Sequence, residues 1–339
     1  MKIFDVIYEA LGINFVLESF KKDKNAQIDM TISDEKKEYH TDKIQPVKFD
    51  YTPQTLSEYI GQENAKLRIQ TYVKKIKQIK PVHLIISGTR GCGKSTLCYI
   101  IAKMLGIEID TYVGGSFTID NLHDFLKRNA EDKVFRILFI DEIHGISREV
   151  SEYMLPLLQS FLLPIGNQKV KPFIMMGATT NLEILQKTSQ PFLDRCDLIE
   201  LENYDSSNIK EILVQYNDRL YKKNLSNDAF DLISKNTRFN PRTSLSVFDD
   251  VIIEENVENV LKSRQIIKDG LTTKDILVLR HLAEIGKPVG IEVLAVITNT
   301  TRENYKELVE PFLLSQGYIS RTSRGRLITT KGKQILESI

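Results

Sequence analysis

The sequence is short of several things. Its 339 residues hold only three cysteines, Cys92, Cys98 and Cys196, an odd and sparse set without CxxC spacing. That pattern argues against a disulfide framework and a structural zinc site, and fits a reducing compartment. The five histidines, His40, His83, His123, His144 and His281, show no metal-ligand spacing either. No stretch of about 18 apolar residues occurs, so no membrane span is expected. The apolar N-terminal stretch carries Asp5, Glu9 and Glu18 and lacks a basic leader and a small-residue cleavage site. It is not read as a signal peptide, and a cytoplasmic location is expected. Charge of one sign is missing as well: 46 Lys+Arg against 45 Asp+Glu leave a net +1. Any nucleic-acid surface must therefore come from local segregation of charge. There is no internal repeat and no low-complexity tract. With 42% hydrophobic and 27% charged residues, the composition is that of a soluble globular chain. The length suits two or three domains.

What is present divides into four regions. Residues 1–45 open with Phe4, Ile7, Tyr8 and Leu11 at helical spacing and end in a polar stretch, with a net charge of −2. They are expected to be an N-terminal extension. Residues 46–204 alternate helical patterns with the apolar runs 82–87, 107–113, 136–141, 173–178 and 197–201. Runs of this length read as strands buried on both faces of a parallel α/β sheet. Residues 205–265 show helical periodicity, for example Ile209, Ile212, Leu213 and Tyr216, and are expected to form a small all-α domain. Residues 266–339 mix helices with short strands. Their last 19 residues carry Arg321, Arg324, Arg326, Lys331 and Lys333 against Glu337 alone.

The strongest motif is Gly88-Thr89-Arg90-Gly91-Cys92-Gly93-Lys94-Ser95, a GxxxxGK[ST] sequence between an apolar strand and a helical pattern. Gly88, Gly91 and Gly93 let backbone N–H groups turn around phosphates, and Thr96 continues into the helix N-terminus. Lys94 is expected at the β- and γ-phosphates of ATP, with the Ser95 hydroxyl on Mg²⁺. The run 137–140 then delivers Asp141 and Glu142, 47 residues after Lys94. Asp141 suits a metal-orienting role, and Glu142 suits polarising the attacking water.

Three further segments gain meaning from these two. Gly177-Ala178-Thr179-Thr180-Asn181 fits either a γ-phosphate sensor or a turn with Asn181 as a helix cap. Arg195 fits an arginine finger or a surface ion pair with Asp194 or Asp197. Arg242, after Asn240-Pro241, fits a residue closing over the γ-phosphate, while Pro241 equally marks a helix start. Cys92 reads as a small loop residue and a possible oxidation target rather than a nucleophile.

In order along the chain, TLSEYIGQENAKLRI (55–69), GTRGCGKST, FIDEIH (139–144), GATTN (177–181), PFLDRC (191–196) and NPRT (240–243) resemble the AAA+ ATPases. More narrowly, they are similar to the RuvB family of Holliday-junction branch-migration motors. The segment 287–326 resembles that family's winged-helix domain. The resemblance implies an AAA+ P-loop ATPase domain, an all-α lid domain and a C-terminal winged-helix domain at 266–339. It implies Tyr59 and Ile60 near adenine, Lys94 and Ser95 at phosphate and Mg²⁺, and Asp141 and Glu142 as the Walker B pair. Thr180 would be sensor 1, Arg242 sensor 2, and Arg195 a finger acting on a neighbouring subunit. A homo-hexameric ring on duplex or four-way-junction DNA follows from the family. Arg321, Arg324 and Arg326, around a wing turn expected at Gly325, would hold DNA through its backbone.

Several features depart from the family. Residues 1–45 are additional, Tyr51-Thr52-Pro53 replaces an Arg-Pro pair, and Leu193 stands where a first finger arginine is usual. Segment 161–173 is shorter than the hairpin that docks the partner RuvA in the family, which puts that partnership in doubt. Three function classes are carried forward: a DNA-translocating ATPase, an ATP-switched loader similar to the clamp loaders, whose finger also ends in Arg-Cys, and a non-enzymatic DNA-binding regulator.

Overall fold

The computed structural model describes residues 52–78 and 81–339, and all of them fall within one compact unit. The expected extension at residues 1–45 lies outside the described residues. Five strands form one parallel sheet: β1 (His83–Ser87), β2 (Ile109–Val113), β3 (Ile137–Asp141), β4 (Ile174–Thr179) and β5 (Cys196–Glu200), in the order β2-β3-β4-β1-β5. Strand side chains alternate between faces. Thus Leu84 and Ile86 of β1 enter a core with Ile69, Tyr72, Leu97 and Phe139. Ile85 enters the opposite one with Phe125, Leu138, Met154 and Phe173. The sheet is a middle layer between helices, and β1, β3 and β4 are nearly sealed from water.

Burial on both faces does not extend to β2 and β5. They lie at the two edges and are only partly covered. Their apolar runs resemble those of the central strands, but an edge strand has a neighbour on one side only.

Helices Ser206–Tyr216, Asn227–Asn236, Pro241–Glu254 and Val257–Ser263 follow β5. They close around Phe248, which stacks on Phe230 at 5.8 Å and meets Tyr216 edge-on. A short antiparallel pair, β6 (Ile266–Lys268) and β7 (Leu271–Thr272), comes next. Ile266 still packs on the helical cluster, whereas Leu271 belongs to the C-terminal core, so the expected border at 266 falls inside this turn of chain.

The C-terminal core gathers helices Thr273–Ile285 and Ile291–Ile297, a helical stretch over 302–315, the antiparallel ribbon β8 (Ile319–Thr322) and β9 (Gly325–Ile328), and helix Thr330–Glu337. This is a winged helix. Gly325 is not the wing's turn, which lies at 323–324. It opens β9 with φ +143°, and a Cβ there would come within 2.3 Å of the Val289 carbonyl oxygen. The glycine is needed for that close approach, where Val289 and Arg326 exchange backbone hydrogen bonds. Among the described residues no helix is long and apolar enough to cross a membrane.

Candidate functional site

Sheet order places the C-terminal ends of β3, β4 and β1 side by side, and loops leaving that edge of a parallel sheet are where ligands bind. The loop after β1 carries the phosphate motif. Helix Lys94–Leu105 starts directly from it, and no side chain caps its N-terminus, which leaves the first N–H groups and their partial positive charge facing the loop. Lys94 is buried, and its Nζ donates to the carbonyls of Gly88 (3.0 Å) and Thr89 (2.9 Å). Ser95 Oγ donates to Asp141 Oδ2 at 3.1 Å. Thr96 lies in the first turn of the same helix, half-buried. Gly93 has φ +91°, and a Cβ on it would sit 2.4 Å from the hydroxyl of Tyr59. Any side chain there would displace the residue that props the loop.

Glu142 follows Asp141 in a left-handed conformation (φ +47°) that turns the chain out of β3. Its Oε2 accepts from the Thr180 hydroxyl at 2.9 Å and from the Thr180 N–H at 3.3 Å. His144 Nδ1 lies 3.3 Å from the same oxygen and 3.1 Å from Thr179 Oγ1. In the 177–181 segment the helix-cap reading holds, with Asn181 accepting from Ile184 N, and Thr180 donates to Glu142. At 240–242 the helix-start reading holds. Pro241 begins its helix, Asn240 caps it and also donates to Arg90 O at 2.5 Å, and Arg242 opens onto the cavity.

Two adjoining cavities result. The larger, about 1100 Å³, is lined by Thr89, Arg90, Gly91, Gly93, Lys94, Ser95, Asp141, Glu142, His144, Thr180, Asn181 and Arg242, with contributions from helix Pro241–Glu254 and the winged helix. Gly88 is set just behind it, its own approach limited by Cys92 and Leu201. The smaller, about 300 Å³, is largely apolar and lined by Thr52, Pro53, Tyr59, Ile60, Tyr204, Ile212, Tyr216 and Leu245 beside Gly91, Cys92 and Gly93. A polar, charged chamber opening beside an apolar slot matches a polyphosphate joined to a flat base.

Tyr59 and Tyr204 both donate to the Cys92 carbonyl, at 2.7 and 3.4 Å. Burial pushes the Tyr59 phenol well above its ordinary range, so it remains a donor. Burial likewise pushes the Cys92 thiol up. An inaccessible, protonated thiol is a poor oxidation target, which corrects that expectation.

Arg195 is absent from the lining of both cavities. It donates to Pro191 O (2.5 Å) and Gln159 Oε1 (2.7 Å), and its buried Nε has no partner among the described residues. The ion-pair alternative is not realised: Asp194 accepts from Gln190 and Asp197 from Lys75. On the wing, the three arginines differ. Arg326 and Arg321 both pair with Glu310, which is fully buried, while the Arg324 side chain has no ion pair among the described residues. Burial raises the Glu310 carboxyl, but Arg326 and Arg321 outweigh it and hold it below its ordinary range.

Sequence reasoning missed Tyr204, Ile212, Tyr216 and Leu245 on the apolar side, and His144 beside Glu142. The signal for Ile212 and Tyr216 was a helical apolar pattern, which reads as core, and Tyr204, just before that helix, carried no signal.

A Holliday junction DNA helicase RuvB P-loop domain model matches residues 51–201, and a RuvB C-terminal winged helix domain model matches residues 268–337. The chain is 30% identical over 334 residues to the RuvB subunit of the Holliday junction branch migration complex of Phytoplasma mali, covering 91% of this chain and 96% of that one. It is 34% identical over 303 residues to the same subunit of Pseudothermotoga lettingae, covering 82% and 87%. The solved Thermotoga maritima RuvB branch migration motor superposes with a TM-score of 0.72 at 28% identity, covering 84% of this chain and 98% of that one.

Proposed function

The chain belongs to the RuvB family, and from that premise we propose that it is an ATP-hydrolysing motor that drives branch migration of Holliday junctions. The observation that carries this reading is one cavity holding Lys94, Ser95, Asp141, Glu142, Thr180 and Arg242 together, in a chain that ends in a winged helix.

Each of these groups has a task that its position allows. The helix N-terminus and the loop N–H groups bind the phosphates, and Lys94 neutralises them. Glu142 orients and polarises the attacking water, and Thr180 fixes the carboxylate that does so. Arg242 lies where it can balance charge on the terminal phosphate. The Ser95 hydroxyl and Asp141 carboxylate are hard oxygen donors 3.1 Å apart, a pair that fits Mg²⁺ completed by phosphate oxygens. Bound there, Mg²⁺ would neutralise charge on the phosphates. Tyr59 and Ile60 line the slot suited to adenine.

Arg195 lies outside its own cavity, which supports a role at a neighbour's site and so a closed ring, hexameric as in the reading from the family. DNA contact falls first to Arg324 and the half-free Arg321, with Arg326 holding the wing in place. Segment 161–173 forms only the bridge Leu162–Lys169 and a tip over 164–167, with Ile165 79% exposed. Such a short ribbon buries little area, which favours loading without a standard RuvA.

The test is ATPase rate with and without four-way-junction DNA, alongside dissociation of the junction. Stimulation together with dissociation is expected, unchanged by added RuvA. ATP turnover without dissociation would favour the loader reading. No turnover would favour a regulator.

A further inference from the structure

The cavity that holds the phosphate motif is not closed by the ATPase and helical domains alone. Lys306, Glu307 and Pro311 of the winged helix also line it. None of the three touches the apolar slot, so the winged helix reaches the phosphate end of the site only.

The segment carrying Lys306 is held firmly. Residues Tyr305–Val309 wind as a π-helix, a form frequent at functional sites. Tyr305 and Val309 are buried in the C-terminal core, which turns Lys306 outward. The carbonyl of Leu308 accepts from Arg238 Nη1 at 2.8 Å. Arg238 also donates to Gly270 O at 3.0 Å, pairs with the fully buried Asp275, and lies over the Phe312 ring at 4.7 Å. Arg238 stands four residues before Arg242, and Asn240 between them is bonded to the phosphate loop at Arg90 O. Arg238 and Phe239 are consecutive non-glycine residues with φ +57° and +52°. Two such residues in a row are costly unless the surrounding contacts over-determine them. One short segment thus ties the phosphate loop, Arg242 and the Lys306 turn together.

Lys306 makes no hydrogen bond or ion pair among the described residues, although Glu307 is its neighbour and Asp249 lines the same cavity. Asp249 is engaged by the phenols of Tyr216 and Tyr221, both at 2.8 Å. A long cation anchored at its base and without a partner at its tip suits a mobile anion that arrives and leaves.

Building on the ATPase reading, we infer that Lys306 is a nucleotide-contacting residue supplied by the DNA-binding domain, meeting the terminal phosphate of bound ATP. The winged helix would then distinguish ATP from ADP directly. By linkage, whatever shifts that domain on DNA shifts nucleotide affinity by the same factor.

The experiment is calorimetric titration of full-length protein, wild type, Lys306→Ala and Lys306→Arg, with ATPγS and with ADP. Lys306 is exposed, so neither substitution disturbs the core. A charge-assisted contact implies a loss of about tenfold or more in ATPγS affinity for Lys306→Ala. ADP affinity should barely move, and Lys306→Arg should recover most of the ATPγS affinity. An unchanged ratio of ATPγS to ADP affinity in Lys306→Ala would overturn the inference. Failure of the wild type to bind either nucleotide would overturn the ATPase reading beneath it, and this inference with it.

Discussion

At the scale of single residues, the proposed mechanism divides binding from chemistry between Lys94 and Glu142. Lys94 is buried, with its Nζ donating to the loop carbonyls of Gly88 and Thr89, and the proposed site puts it at the phosphates. Replacing it with Ala should weaken ATP binding and abolish turnover together. Glu142 is held by Thr180 through its carboxylate. Glu142→Gln keeps the shape and loses the base, so turnover should fall by roughly 10²–10⁴-fold while ATP stays bound. Equal loss of ATP affinity in both variants would contradict this division, and nucleotide titration beside a turnover assay decides it. These residues were legible in the sequence because each motif is contiguous and its spacing is dictated by one strand–loop–helix unit. Tyr204 and Tyr216 were not legible. They line the slot with Tyr59 because the chain returns there, Tyr204 reaching the Cys92 carbonyl across 112 residues of sequence, and nothing local marks that return.

At the scale of elements, His83 joins three of them. It lies in β1, Met175 N at β4 donates to its Nδ1 at 3.0 Å, and its Nε2 lies 3.0 Å from Leu158 O of the helix Arg148–Ser160. A ring that accepts at Nδ1 must donate at Nε2 and is neutral. Burial lowers its pKa to about 4. Because the folded value lies below the unfolded one, His83 leaves stability intact above about pH 6.5 and removes it progressively as pH falls toward 4. The full effect is roughly 3 kcal/mol. Urea midpoints measured from pH 7 down to pH 4.5 should fall more steeply for the wild type than for His83→Gln; parallel curves would refute the assignment. The wing gives a second contrast. Arg324→Ala should leave thermal stability alone, weaken DNA binding, and reduce the slope of log K against log salt by up to about 0.9. Arg326→Ala should lower the melting temperature, since it strips a partner from the buried Glu310. The reverse pattern would mean that Arg326 is the DNA contact. All five sheet strands could be read from their apolar runs. Which were edges could not, because edge position depends on the crossover order β2-β3-β4-β1-β5, which apolar pattern does not encode.

At the scale of the whole molecule, the question is where one subunit's site ends. The cavity gathers residues from the ATPase domain, the helical domain and the winged helix, yet Arg195 is not among them. It is fixed instead by Gln159 and Pro191, next to the edge strand β5. An arginine finger is worth about 10³–10⁵ in rate where it has been measured. A site lacking its finger should therefore be nearly silent until a neighbour supplies one. Arg195→Ala subunits keep an intact phosphate site, and Lys94→Ala subunits keep an intact finger. Each alone should be inactive. Mixed, some interfaces set the finger of a Lys94→Ala subunit against the site of an Arg195→Ala subunit, so ATPase activity should return and peak near equal proportions. The dependence on proportion is what separates this from contamination by wild type, which would scale with the amount of one component. Mixed rings that form, as verified by differential tagging, and show no recovery at any ratio would place Arg195 in its own subunit's stability and not in its neighbour's chemistry.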